Sequence, residues 1–398
     1  MEKARYAVIV PDGAADEPIP MLGGKTALEA ARIPAMDRIA AEGELGLSRT
    51  VPEGMEPGSD VAQMSLLGYD PRKYYTGRAP IEAAAKGIEL GPRDWVFRCN
   101  LVTMDGDTMA DHSAGQICTE EAAGFISMLG RELAVEGIEL HAGVGYRHLL
   151  VCRGMDFNVK TFPPHDNLGK PASGILPQGD GAGLLRDLME RSRRILSGCE
   201  ANRVRRSRGK SEVSSIWLWG QGRKTAMESF RKRFGVSGAA ITAVDLARGL
   251  ATLIGFDVID VPGATGLMDT NYEGKAAAAI KALEDHEIVF VHVEAPDEAG
   301  HAGNAGDKVK SLELIDRHIV GPVLGALRSY PAWRILVMPD HPTPVRARGH
   351  SGLPVPFAIA GSGVSGNSAP RFSEAAAAAT GLSVSAGHEL MARLLDSR

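Results

Sequence analysis

The sequence predicts an α/β fold, a mostly parallel sheet flanked by helices, with a smaller α+β domain inserted into it. Three observations predict it. Short, uniformly apolar runs end in turn or acidic residues: residues 6–10 lead into Pro11-Asp12-Gly13, residues 288–293 into Glu294-Ala295-Pro296-Asp297, and residues 335–338 into Pro339-Asp340-His341. Runs this apolar suit strands buried on both faces, as in parallel sheets. Between them, residues 275–283 and 305–327 carry aliphatic side chains at three- and four-residue spacing, the mark of an amphipathic helix. Finally, this β-α-β-α alternation breaks in the middle of the chain, where strand-like pieces surround one helical stretch.

The elements follow in order. Residues 57–67 read as a tight turn running into a helix, with Ser59 at or near its N-cap. Residues 96–103, 138–141 and 146–152 read as strands around a helix at 119–133, and a second helix is expected near 183–196. The basic stretch 203–210 (Arg-Val-Arg-Arg-Ser-Arg-Gly-Lys) could touch phosphate, but reads better as a solvated linker. Strand character resumes at 215–219, and the alanine run 375–379 reads as helix. The expected division is a discontinuous core, 1–80 and 210–398, interrupted by an inserted domain at 81–209.

Composition narrows the class of function. The 398 residues suit two domains rather than one core. With 44% hydrophobic and 23% charged residues the balance is that of a globular protein, and a net charge of −5 gives no general attraction to nucleic acid. The N-terminal apolar run is too short for a secretory signal, and no segment approaches the ~20 apolar residues of a membrane span. Cys99, Cys118, Cys152 and Cys199 have no zinc-ligand spacing and read as reduced thiols. A cytoplasmic enzyme is expected, without nucleic-acid or membrane partners. The sequence allows a homo-oligomer without requiring one.

Ligands of open α/β sheets bind beyond the carboxyl ends of the strands. Three strand ends here deliver metal-type side chains to that edge: Asp12; Asp297 with His301; Asp340 with His341. His350 follows on the loop 346–351. A single strand-end aspartate is usually a turn or cap residue. Asp297 and His301, however, stand four residues apart and share one face of a helical turn that Pro296 can open. Ser59, at the start of its helix, completes the set: helix N-terminal N–H groups can hold phosphate, and metal coordination would make its hydroxyl a nucleophile at neutral pH. A mixed nitrogen and oxygen donor set suits manganese, zinc or magnesium.

PDG (11–13), PGSD (57–60), APDEAGH (295–301), PDH (339–341) and RGHSGLPVPF (348–357) occur in an order that resembles the alkaline phosphatase superfamily. Within it the chain is most similar to the archaeal-type branch of cofactor-independent phosphoglycerate mutases. GYDPRKYYTGRAPIEAA (68–84), LWGQGRK (218–224) and PGATGLMDTNYEGKA (262–276) extend the resemblance over essentially the whole chain. It implies an alkaline-phosphatase-like core and two divalent ions, Mn2+ first and Zn2+ or Mg2+ as alternatives. Asp12, Ser59, Asp340 and His341 would hold one ion, and Asp297, His301 and His350 the other.

The resemblance also implies a glycolytic isomerase that interconverts 3-phosphoglycerate and 2-phosphoglycerate through phosphorylated Ser59. Its inserted domain would cover a small phosphorylated acid and retain the glycerate. Leu353 and Gly349 depart from the family's usual polar residue and threonine, which bears on loop rigidity and not on the ligands. An acidic substrate needs arginines; Arg147 is the first candidate, followed by Arg78, Arg98, Lys224 and Asp111 with its neighbours His112 and Ser113. His112 and His165 are possible proton-transfer groups. Two alternatives stay open. PDGAADEP (11–18) resembles the branch's proposed homoserine kinases equally well, and a domain that failed to exclude water would leave a phosphohydrolase.

Overall fold

Residues 6–10 carry almost no polar side-chain atoms, so a strand made from them is stable only with both faces covered. In the computed structural model, which describes residues 4–396, they form the strand Arg5–Pro11 inside an eight-stranded sheet. Ala7, Val8, Ile9 and Val10 have no exposed surface; each of the larger ones contributes about 1.5–3 kcal/mol by burial. Across the sheet the order is Asp257–Ile259, Gly238–Ile241, Ile288–Val293, Arg5–Pro11, Trp333–Val337, Val355–Gly361, Glu44–Ser48 and Ser383–Val384. Only Val355–Gly361 runs against its neighbours. Pro11 lies in register with Val293 and Ile9 with Val337, so the residues after these three strands emerge at one edge.

Met36, Ile39, Ala279, Leu283, Leu312, Ile315 and Leu324 from the flanking helices pack with Ala7, Ile9, Val289 and Val291 in one hydrophobic core. The expected single helix at 305–327 is broken by a π-helical turn, Asp316–Val320. Asp316 there accepts from the N–H groups of Ala35 and Met36, capping the helix Pro34–Glu42 with a side chain from elsewhere in the chain.

The described residues fall into two compact units, residues 4–75 with 226–396, and Thr76–Thr225. The second is wider than the expected 81–209. Its central strand, Trp95–Asp105, pairs antiparallel with Ser215–Arg223, a strand expected in the core, and its first helix, Arg78–Ala85, begins before the expected boundary and runs across it. The strands Thr108–Asp111, Arg147–Cys152 and Ile138–His141 complete its sheet, under the helices Thr119–Leu133 and Ala182–Ser197.

The basic stretch at 203–210 is not a linker. Most of it belongs to the helix Glu200–Ser207, whose Arg205 is buried and donates to the carbonyls of Ala114 and Ser211 and to Glu121. Five donors in a fixed fork let one buried arginine tie two loops to the helix Thr119–Leu133. Among the described residues no helix is long and apolar enough to cross a membrane.

Candidate metal centre

The carboxyl edge of the large sheet gathers all seven ligand candidates. Asp12 follows the strand Arg5–Pro11, while Asp340 and His341 follow Trp333–Val337; all three are fully buried and close enough to share an ion. Asp297 and His301 stand on the helix Ala295–Ala302 with Pro296 in its first turn, and their Oδ2 and Nε2 are 3.3 Å apart. His350 Nε2 is 3.0 Å from His301 Nε2 and 3.6 Å from Asp297 Oδ1, making a second group of three. The rings of His341 and His350 are 4.3 Å apart, so the two groups adjoin.

Ser59 is the first residue of the helix Ser59–Leu66 and not its cap; Gly58 holds that position. A capping serine would spend its hydroxyl on the helix backbone. One position further on, Ser59 Oγ instead lies 3.0 Å from His341 Nε2.

Gly13 makes the close approach of these loops possible. Its φ is +61°, and a Cβ there would stand 2.5 Å from Asp297 Oδ1 and 2.6 Å from Thr343 Oγ1. Its N–H donates to Asp340 Oδ1 at 3.1 Å.

The electrostatics fit a divalent cation. Burial raises the Asp12 carboxyl well above the usual range, and the charges of Asp340, Glu294 and Asp297 raise it further. Glu294 is pushed up to about 8 by burial and by Asp297. Burial also opposes ionisation of Asp297, but its bond with His301 and the nearby His341 and His350 outweigh that and hold it low. His301 in turn is raised to about 9, chiefly by that same bond. Asp12 Oδ1 is buried without a hydrogen-bond partner. Such an oxygen is costly unless something positive meets it, and oxygens with imidazole nitrogens are the donors Mn2+, Zn2+ and Mg2+ take.

Comparisons with known proteins give the family. A family profile described as 2,3-bisphosphoglycerate-independent phosphoglycerate mutase matches residues 40–202. A protein of that name from Methanothrix thermoacetophila is 50% identical over 392 residues, covering 98% of this chain and 99% of the relative. The chain belongs to the 2,3-bisphosphoglycerate-independent phosphoglycerate mutase family. A probable member from Geobacter sulfurreducens is 47% identical over 98% of this chain and all of its own length. Among solved structures, a Pyrococcus horikoshii protein superposes with a TM-score of 0.84 at 30% identity, covering 100% of this chain and 98% of its own. A cofactor-independent phosphoglycerate mutase from Thermoplasma acidophilum gives 0.69 at 28%, with 99% of each chain covered. Like the family, this chain is an enzyme of phosphoryl transfer within its substrate, an isomerase.

The expected substrate contacts all lie in the second unit, in different settings. Arg98 is buried, 3.1 Å from Glu82 and stacked 4.2 Å over Trp219, and burial lowers it to about 10. Arg78 opens the helix Arg78–Ala85 and meets the same Glu82 at 3.0 Å. Arg147 is exposed at the start of its strand, 5.4 Å over the Tyr146 ring. Lys224 is exposed just past the strand Ser215–Arg223. Asp111 accepts from the N–H groups of Ser113 and Gly115 and from the Ser113 hydroxyl, so it shapes its own turn. The rings of His112 and His165 are 6.0 Å apart, and His165 is 5.2 Å from Trp219.

Four residues around the ligand candidates escaped the sequence reading. Thr343 Oγ1 donates to Asp297 Oδ1, and Gln63 and His292 both bond Asp12. Lys308, fully buried, bonds Asp16 at 2.8 Å and the carbonyls of Thr343 and Ala15 at 2.8 and 3.2 Å. Two signals were present: His292 is a lone imidazole in an apolar strand, and Gln63 stands one helical turn after Ser59.

Proposed function

We propose that this chain interconverts 3-phosphoglycerate and 2-phosphoglycerate without a bisphosphoglycerate cofactor, passing the phosphoryl group through Ser59. The observation that carries the reading is the meeting of Ser59 Oγ with His341 Nε2, 3.0 Å away, on the edge where six metal-type ligands converge. In this reading Asp12, Ser59, Asp340 and His341 hold one divalent ion, and Asp297, His301 and His350 the other. Mn2+ is the first choice, with Zn2+ or Mg2+ as alternatives. Bound there, divalent ions would lower the pKa of the serine hydroxyl and neutralise charge on the phosphoryl oxygens.

The chain's own groups do the rest. Ser59 Oγ attacks phosphorus, and the bond from phosphorus to the substrate oxygen breaks as the serine ester forms. The helix behind Ser59 presents its N-terminal dipole to the transferring group. The glycerate's other hydroxyl then takes the phosphoryl group back, restoring the serine. Water must be kept from the phosphoserine in between, and we assign retention of the glycerate to the Thr76–Thr225 unit. There Arg78 and Arg98 both reach Glu82, Arg147 acts on Arg98 through its charge, and guanidinium groups suit a phosphorylated acid. Arg147, Arg78, Arg98, Lys224 and Asp111 are the proposed contacts. A cytoplasmic site of action belongs to the same reading.

The test is an enolase-coupled assay of the Mn2+-loaded protein with 3-phosphoglycerate, run beside homoserine with a phosphoryl donor. Turnover of 3-phosphoglycerate without release of inorganic phosphate is expected. Absence of mutase turnover together with donor-dependent phosphohomoserine would overturn the reading, and phosphate release in its place would make the enzyme a phosphohydrolase.

A further inference from the structure

Beyond the seven ligand candidates, one chain of hydrogen bonds runs into the site from the side away from the sheet's main core. The N–H of Val244 donates to Thr242 Oγ1 at 3.2 Å, and Thr242 Oγ1 lies 3.1 Å from His292 Nδ1. Nε2 of the same ring faces Oδ2 of the Asp12 carboxylate, an acceptor, at 2.7 Å, which places the ring hydrogen on Nε2; the Thr242 hydroxyl, which also accepts from Val244, then donates to Nδ1. Gln63 Nε2 donates one hydrogen to Asp12 Oδ2 at 3.0 Å and one to Asp340 Oδ2 at 3.1 Å, so its 3.0 Å approach to His292 Nε2 is a contact between two donors and not a hydrogen bond. Lys275 Nζ, also buried, holds the His292 carbonyl at 2.9 Å.

The result is asymmetric. Both side-chain donors that reach Asp12 fall on Oδ2, while Oδ1 is buried with no partner and lies 3.5 Å from His341 Nε2. We propose that Thr242, His292 and Gln63 are positioning residues: they commit one oxygen of Asp12 to the protein and leave the other for the cation. The inference rests on Asp12 being a metal ligand. It goes beyond that reading by assigning the site's affinity for its ion partly to residues that touch neither ion nor substrate. A fixed orientation removes the rotational freedom that the carboxylate would otherwise lose on binding, so outer partners of this kind set metal affinity.

Asp12, His292 and Glu294 also lie close enough to hold an ion of their own. The network argues against it, because the Nε2 lone pair that such an ion would need is occupied by the hydrogen donated to Asp12.

The test measures Mn2+ affinity and ion count in the full-length protein, stripped by chelation and titrated against a fluorescent competitor. Melting curves in chelator report packing separately. His292→Leu is expected to weaken Mn2+ binding about 10–100-fold, with the ion count per chain restored at saturating Mn2+. His292→Gln, which keeps a donor, should recover part of the loss. Thr242→Val, further from the site and milder for folding, should weaken binding in the same direction by a smaller factor.

Asp12→Asn fixes the reference. If it weakens binding while folded His292→Leu and Thr242→Val bind Mn2+ as the parent does, the relay is overturned and His292 only packs. A count that stays one ion short in His292→Leu at saturating Mn2+ overturns it differently, by making His292 a ligand. Unchanged affinity in Asp12→Asn overturns the ligand assignment and the relay with it.

Discussion

Replacing Lys308 by methionine should destabilise the large unit by several kcal/mol. The ammonium is fully buried and donates three hydrogen bonds, to Asp16 Oδ2 and to the carbonyls of Thr343 and Ala15. Methionine matches the stem but strands the Asp16 carboxylate, itself 8% exposed, with only the N–H groups of Glu17 and Val345 beside it. Breaking one side of a buried pair costs about 3–5 kcal/mol. For a unit of this size each kcal/mol moves the midpoint by about 2–4 °C, so Tm should fall by roughly 10 °C.

The double variant Lys308→Met/Asp16→Asn removes the stranded charge and should regain most of that loss. Thermal and urea melts of the four-member cycle, run in chelator, measure it. The reasoning is refuted if the single variant loses less than about 1 kcal/mol, or if the double variant loses the sum of both singles. Because Lys308 also ties the loops of Asp12 and His341 through Ala15 and Thr343, its loss should weaken Mn2+ binding as well.

Three further outcomes are expected. Gly13→Ala should abolish activity and lower Tm in chelator, since its Cβ would stand 2.5 Å from Asp297 Oδ1 at a φ of +61°; parental kinetics would contradict it. Chelation should stop turnover, and free Mn2+ at about 100 times its Kd should raise stability by about 2.7 kcal/mol, read as a concentration-dependent Tm. Glu82 supplies a pH signature: burial alone would raise its carboxyl, but Arg98 and Arg78 outweigh that and hold it low. A depressed folded value means stability present above the ordinary carboxylate pKa of about 4.3 and lost as pH falls through the folded one. Glu82→Gln should therefore cost stability at pH 7 and converge with the parent in acid; a pH-independent difference in urea midpoint would refute the pairing.

The sequence carried the frame of the molecule because its signals there are local. The apolar runs at 6–10 and 288–293 read as buried strands, and each leads into the segment that reaches the site. The four-residue step from Asp297 to His301 survives into the helix Ala295–Ala302. What it carried poorly were partnerships between distant segments. Residues 215–219 read as a strand, but nothing local says that they pair with Trp95–Asp105 in the second unit. Arg205 looks like one more charge in a basic run until Glu121 and Ala114, over eighty positions away, close around it. His292 and Gln63 were hidden in the same way: an imidazole in an apolar strand gains meaning only when Asp12 arrives from 280 positions upstream.

The claim on which the account turns is that Ser59 carries the phosphoryl group. Acid quenching of the Mn2+-loaded enzyme during turnover of 3-phosphoglycerate, followed by peptide mass spectrometry, tests it most directly. A phosphate on Ser59, absent together with turnover in Ser59→Ala, is the predicted result; a Ser59→Ala enzyme that turns over at the parental rate would contradict it.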